Sequence, residues 1–214
     1  TALDQAIGSG QSAIQGQQEN ERVQNFLTQQ ISSAAQRNAQ AIFGGQEPGQ
    51  FDETWDQVSA NLHREFPNLG PEAIGNMREI YEGARADAFR GNLLQLYLNE
   101  ARQQGATPAN WINYAALNYP FVGSMASQSR DAQLRQLSEA VNNGTASPHQ
   151  YRALAFHMAE RERTQGQGFW SNAADVALGS LRFGAEFMAT GGAFGAGSFV
   201  TSQLAARGLP NLLA

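Results

Sequence analysis

The side chains in this chain best suited to chemistry are its carboxylates and its three histidines. Glu79 with Glu82, the run Asp52, Glu53 and Asp56, and Glu160 with Glu162 are the close acidic groups. Paired carboxylates are what glycoside hydrolysis needs, one as the acid and one as base or nucleophile. The first two groups fall in or near the N-terminal halves of expected helices, where the helix dipole favours acids whatever their function. Glu160 alternates with Arg161 and Arg163, which reads as a solvated run near a helix end. His63, His149 and His157 lack metal-ligand spacing; His149 and His157 are eight apart, about two helical turns. All three are expected on helix surfaces. There is no cysteine, which removes thiolate nucleophiles, thiolate metal sites and disulfides. Gly123-Ser124 is not a nucleophile elbow and has no partner base in view. Gly195-Ala196-Gly197 follows no strand, so it is not a dinucleotide loop. These residues therefore lead to no expected catalytic, cofactor-binding or metal-binding residue.

Composition points the same way. Charged residues are 15% of the 214, against roughly a quarter in ordinary soluble domains, and amides, Ser, Ala and Gly replace them. All 14 basic residues are arginine. A net charge of −5 argues against a surface built to hold nucleic-acid phosphates. Surfaces solvated by amides rather than ions repel each other less and pack more readily on other chains. The first residues, TALDQAIGSG, lack the basic and apolar regions of a secretory signal. With no initial Met and an apolar Leu-Leu-Ala end, the sequence reads as a piece of a longer protein.

The elements are helices. Over residues 1–45, Leu3, Ile7, Ile14, Val23, Leu27, Ile31, Ala34 or Ala35 and Ile42 recur at steps of 3, 4 and 7, broken at Asn38. That is the narrow stripe of a helix seam, and it predicts one long or interrupted helix. Gly8, Gly10 and Gly16 weaken its first third, and a Gln-rich tail without stable structure is the competing reading. Residues 51–165 read as a compact bundle. Asp52 is a candidate N-cap for the next helix, and Phe51, Trp55, Val58, Leu62 and Phe66 fall on one face. Pro71 opens a third helix that runs through Leu98 to Gly105, with Gly83 and Gly91 permitting a kink or a close crossing. Thr107-Pro108 and Ser147-Pro148 are hydroxyl-proline helix starts, and Asn142-Asn143-Gly144 closes the helix between them. No run calls for a strand, so the fold class is all-α: a helical bundle with a long N-terminal helix and a Gly-rich apolar C-terminal segment.

That last segment, 169–214, is the least ordinary. Arg182 and Glu186 can pair at i, i+4; from there to Arg207 no charge occurs, a stretch of 20 residues, 187–206. The length meets that of a bilayer span, and Gly191 to Gly195 and Gly192 to Ala196 have the small-xxx-small spacing of close helix contacts. Its glycines and Gln203 lower its hydrophobicity, so two readings stand: a membrane-contacting hairpin, or a small-residue helix buried among neighbours. The candidate contact residues for sister chains or a membrane are Leu27, Ile31, Gly191, Gly192, Phe194, Gly195, Phe199 and Val200.

ISSAAQRNAQAIFGG near the start and LGSLRFGAEFMATGGAFGAG near the end resemble segments of internal virion proteins of tailed bacteriophages, of the polyvalent or DNA-ejection type. The resemblance is compositional and covers about residues 1–45 and 170–200. It implies helical building blocks that oligomerise with sister chains or other virion proteins. Such blocks are held in the capsid, delivered with the genome and reassembled at the host cell envelope. The function expected from it is non-enzymatic and structural, with no cofactor. Two other classes stay open: a lysozyme- or transglycosylase-like domain acting on peptidoglycan, with Glu72, Glu79 or Glu100 as the acid, and a helical adaptor or scaffold using the 51–165 bundle.

Overall fold

The computed structural model describes residues 2–47, 54–105, 130–165 and 196–213. Among them are seven helices and no strand: α1 (Ala2–Phe43), α2 (Trp55–Glu65), α3 (Pro71–Gln104), α4 (Arg130–Asn143), α5 (Pro148–Gln165), α6 (Ala196–Ala206) and α7 (Leu209–Leu213). The all-α fold class expected from the residue pattern is what the chain adopts. The expected helix at Thr107-Pro108 and the turn around Tyr119-Pro120 lie outside the described residues, as do Phe51, Asp52, Arg182 and Glu186.

Local chemistry sets the helix ends. α1 is a single helix of 42 residues, about 63 Å at 1.5 Å per residue. It stops at Gly44-Gly45 in a Schellman closure. Gly45 takes φ 78°, its N–H donates to the Ile42 carbonyl at 3.0 Å, and the Gln46 N–H reaches the Ala41 carbonyl at 2.8 Å. α4 ends in the same way at Gly144, φ 70°, with the Thr145 N–H donating to the Ala140 carbonyl at 3.0 Å. α2 starts two residues later than Asp52 would place it. Its N-cap is Thr54, whose hydroxyl accepts from the Gln57 N–H while the Gln57 side chain accepts from the Thr54 N–H. That is a capping box, which satisfies two orphan donors where a lone acid satisfies one. α5 uses the same device: the Gln150 N–H donates to Ser147 Oγ and the Ser147 N–H to Gln150 Oε1.

The helices are organised around α3, which packs against all six others. α1, α6 and α7 form one group on it, and α4 and α5 another. Its buried side chains run the length of the helix, from Ile74 through Met77, Tyr81, Ala84 and Leu94 to Ala101. Val23, Leu27, Ile31, Ala35 and Ala39 of α1 join the same core. So do Val58 and Leu62 of α2, Leu134 and Leu137 of α4, Leu154 and Met158 of α5, Val200 and Leu204 of α6, and Leu209 of α7. The segments 1–45, 51–165 and 169–214 thus contribute to one hydrophobic core. The last described helix meets the middle of α1: Asn20 Nδ2 donates to the Leu213 carbonyl at 2.9 Å.

The stripe on α1 is not one continuous seam. From Ile14 to Val23 is nine residues, two and a half turns, so on this helix the two positions stand half a turn apart. Leu3, Ile7 and Ile14 share one line along α1, and Val23, Leu27 and Ile31 share another.

Candidate functional site

The chemistry-bearing groups converge on the middle of α3. Asp87 is 2% exposed there and is gripped from two directions. Arg90, one turn on, donates Nη1–H to Asp87 Oδ1 at 3.0 Å. Arg207, from the turn between α6 and α7, donates Nη2–H to Asp87 Oδ2. Both guanidiniums lie where only glycine leaves room. Arg207 crosses α3 at Gly83, and a Cβ there would overlap its guanidinium. Arg90 crosses the α4–α5 turn at Gly144, where a Cβ would come within 2.6 Å of Nη2. Two arginines on one buried carboxylate leave the cluster with one net positive charge.

Arg90 also forms part of the wall of a pocket of about 210 Å³. Ile42 of α1, Ala86, Phe89 and Leu93 of α3, Gly144 and Ala146 of the α4–α5 turn, and Pro148 and Tyr151 of α5 are the other described residues in the lining. Tyr151 is 3% exposed, and its hydroxyl makes no hydrogen bond to any described residue. Burial pushes its phenol up to about 12, with Arg90 pulling the other way, so at neutral pH it carries its proton. Among the described residues the lining is therefore apolar side chains plus two that carry donors, a guanidinium and a phenol.

Two further ion pairs clamp α5 to α3. Arg102 donates Nε–H to Glu162 Oε2 at 3.0 Å and Nη2–H to Oε1 at 3.3 Å. Arg152 meets Glu100 in the same two-pronged way, at 2.9 and 3.4 Å, with its guanidinium 4.9 Å from the centre of the Tyr97 ring. Bidentate pairs of this kind fix the rotation of one helix on the other as well as adding energy.

Several expected residues stand elsewhere than their patterns suggest. His157 is 2% exposed, not on the helix surface, because α5 is enclosed almost all round from Ala153 to Glu160. Glu160 is likewise 3% exposed rather than solvated; Arg161 and Glu162 are half-buried, and the run is exposed from Arg163. His63 and His149 are exposed, as expected, and His63 Nδ1 lies 2.8 Å from the Ser59 carbonyl. Leu27, Ile31, Phe199 and Val200 are buried inside the chain, on the two helices α1 and α6 that pack together beside the Thr28–Thr201 hydroxyl contact. Gly191, Gly192, Phe194 and Gly195 lie outside the described residues. No described helix is long and apolar enough to cross a membrane, and no group of three potential metal ligands occurs among the described residues.

Sequence reasoning passed over Asp87 and the pocket. Asp87 to Arg90 was legible as an i, i+3 pair, but Arg207 is 120 residues further on. Compared with known proteins, the chain matches no family model, no curated protein and no solved structure.

Proposed function

We propose that this chain is a non-enzymatic helical assembly unit of a bacteriophage virion protein of the ejection type, which joins sister chains through the N-terminal part of α1. One observation carries the reading. α1 runs unbroken from Ala2 to Phe43, and among its described side chains, 16–43, those given to the core begin at Val23. Leu3, Ile7 and Ile14 precede them on a separate line of the helix. Steps of four and seven are the spacing of a helix–helix seam. The buried and half-buried acids support the structural reading, since Glu100 and Glu162 each hold an arginine of another helix and Asp87 holds Arg207 of the turn between α6 and α7. Glu72 and Glu79 are exposed and two turns apart on α3, and Glu100 is about 31 Å beyond Glu79 along the axis. Glycosidase carboxylates work within about 10 Å of each other, so no observation favours the peptidoglycan reading.

The test is sedimentation of the whole chain across concentration, beside the double variant Ile7→Asp, Ile14→Asp. The wild type is expected to self-associate and the variant to sediment as a monomer with unchanged urea unfolding. A wild type that stays monomeric at every concentration overturns the reading.

A further inference from the structure

The Asp87 cluster and the pocket beside it have a property that assembly does not use. Here one carboxylate, 2% exposed, faces two guanidiniums, on side chains 18% (Arg90) and 31% (Arg207) exposed. Arg90 spends Nη1 on Asp87; its other N–H groups have no acceptor among the described residues. The Tyr151 hydroxyl is in the same state, a donor on a side chain nine-tenths buried, in the wall of the same pocket. Pro148, also in that wall, is the first residue of the 18-residue α5, so the positive end of a helix dipole lies alongside. The other described residues around the space are Gly144 and the hydrocarbon side chains of Ile42, Ala86, Phe89, Leu93 and Ala146.

We propose that this pocket is a binding site for a small amphipathic carboxylate. The carboxylate sits between the Arg90 guanidinium and the Tyr151 hydroxyl, and the apolar body lies against Phe89 and Leu93. The carboxylate gives the Arg90 guanidinium and the Tyr151 hydroxyl an acceptor, and the aromatic or short aliphatic body covers hydrocarbon side chains of the wall. The size is set by the space: an apolar cavity of ~150 Å³ accommodates benzene, so about 210 Å³ takes a ligand of the size of benzoate or hexanoate. Fully apolar ligands waste both donors, and inorganic anions leave the hydrocarbon wall wet. The proposal is independent of the assembly reading, since none of the pocket residues belongs to the N-terminal part of α1.

The experiment is titration of the full chain with benzoate, followed by calorimetry and by amide NMR shifts, with benzyl alcohol as the uncharged isostere. Benzoate is expected to bind with a Kd on the order of 1 mM or tighter, and benzyl alcohol at least ~10-fold more weakly, since hydrogen bonds to a charged group are the stronger kind. Tyr151→Phe keeps the ring and removes one donor; it should weaken benzoate ~10-fold and leave benzyl alcohol nearly unchanged. Ala86→Leu, which fills the space and keeps both donors, should abolish binding while urea unfolding stays cooperative. Any one of three results overturns the proposal: no benzoate binding at ~10 mM, a concentration about ten times the expected Kd; benzyl alcohol binding as tightly as benzoate; or Tyr151→Phe binding benzoate as the wild type does.

Discussion

Asp87 sits at 2% exposure, where a carboxylate without partners is destabilising by several kcal/mol. What makes the position workable is the pair of glycines that lets two arginines reach it. Gly83 is the more informative of the two, because it is an ordinary helical residue with negative φ. Replacing glycine by alanine inside a helix normally gains up to ~1 kcal/mol. At Gly83 the new methyl group overlaps the Arg207 guanidinium, which must move and release Asp87. Gly83→Ala is therefore expected to destabilise by ~1–3 kcal/mol, the range for disturbing a buried ion pair. In an Arg207→Ala background the same change should stabilise by ~0.5–1 kcal/mol, as helix propensity alone dictates. Urea unfolding of the four-member cycle checks the change of sign. Effects that simply add would show that Arg207 does not lie over Gly83. None of this was legible from spacing: Gly83 reads equally as a kink, and only the fold brings residue 207 to it.

At the scale of elements, most helix ends could be read in the sequence because they rest on local hydrogen bonds. Ser147-Pro148 opens α5 and Asn143-Gly144 closes α4 where the residue types place them, since a capping hydroxyl and a left-handed glycine act within five residues. Asp52 misled because Thr54 offers the reciprocal cap with Gln57 and so sets the start of α2. Burial was harder to read. His157 and Glu160 are polar residues on a helix enclosed on nearly every side, and the neighbours that enclose it come from distant parts of the chain. The described part of the uncharged stretch, α6, shows the same limit: lack of charge fits a membrane and a protein interior equally. In the fold α6 packs on α1 and α3, with Val200 and Leu204 at 0% exposure. Leu204→Ala should accordingly cost ~3 kcal/mol, the lost transfer energy plus a cavity. Urea unfolding measures it, and a cost below ~0.5 kcal/mol, the size of a surface change, would remove α6 from the core.

Over the whole molecule, the arrangement makes a prediction about cooperativity. By composition the chain divides into a Gln-rich helix, a bundle and a Gly-rich tail, and three such parts could melt separately. The contacts argue otherwise. α3 touches every other described helix, so no element can leave without stripping apolar surface from the same 34-residue rod. The links that close the structure are also long in sequence. Asn20 reaches Leu213, Arg207 reaches Asp87, and Arg102 reaches Glu162 across 60 positions. Loosening α6 and α7 uncovers the face of α1 that carries Asn20 and Thr28 and leaves Asp87 with one arginine, so its cost spreads to elements that have not moved. Unfolding in urea is therefore expected as one transition, with far-UV circular dichroism and the near-UV signal of the packed tyrosines superimposable at every concentration. Arg207→Ala should lower the midpoint of that single transition and leave it single, because the clamp links parts of one cooperative unit. If the near-UV signal of Tyr81 and Tyr97 instead survived while helix content fell in a separate early step, α3 would be the core of an independent bundle, and α1 and α6 would be appendages to it.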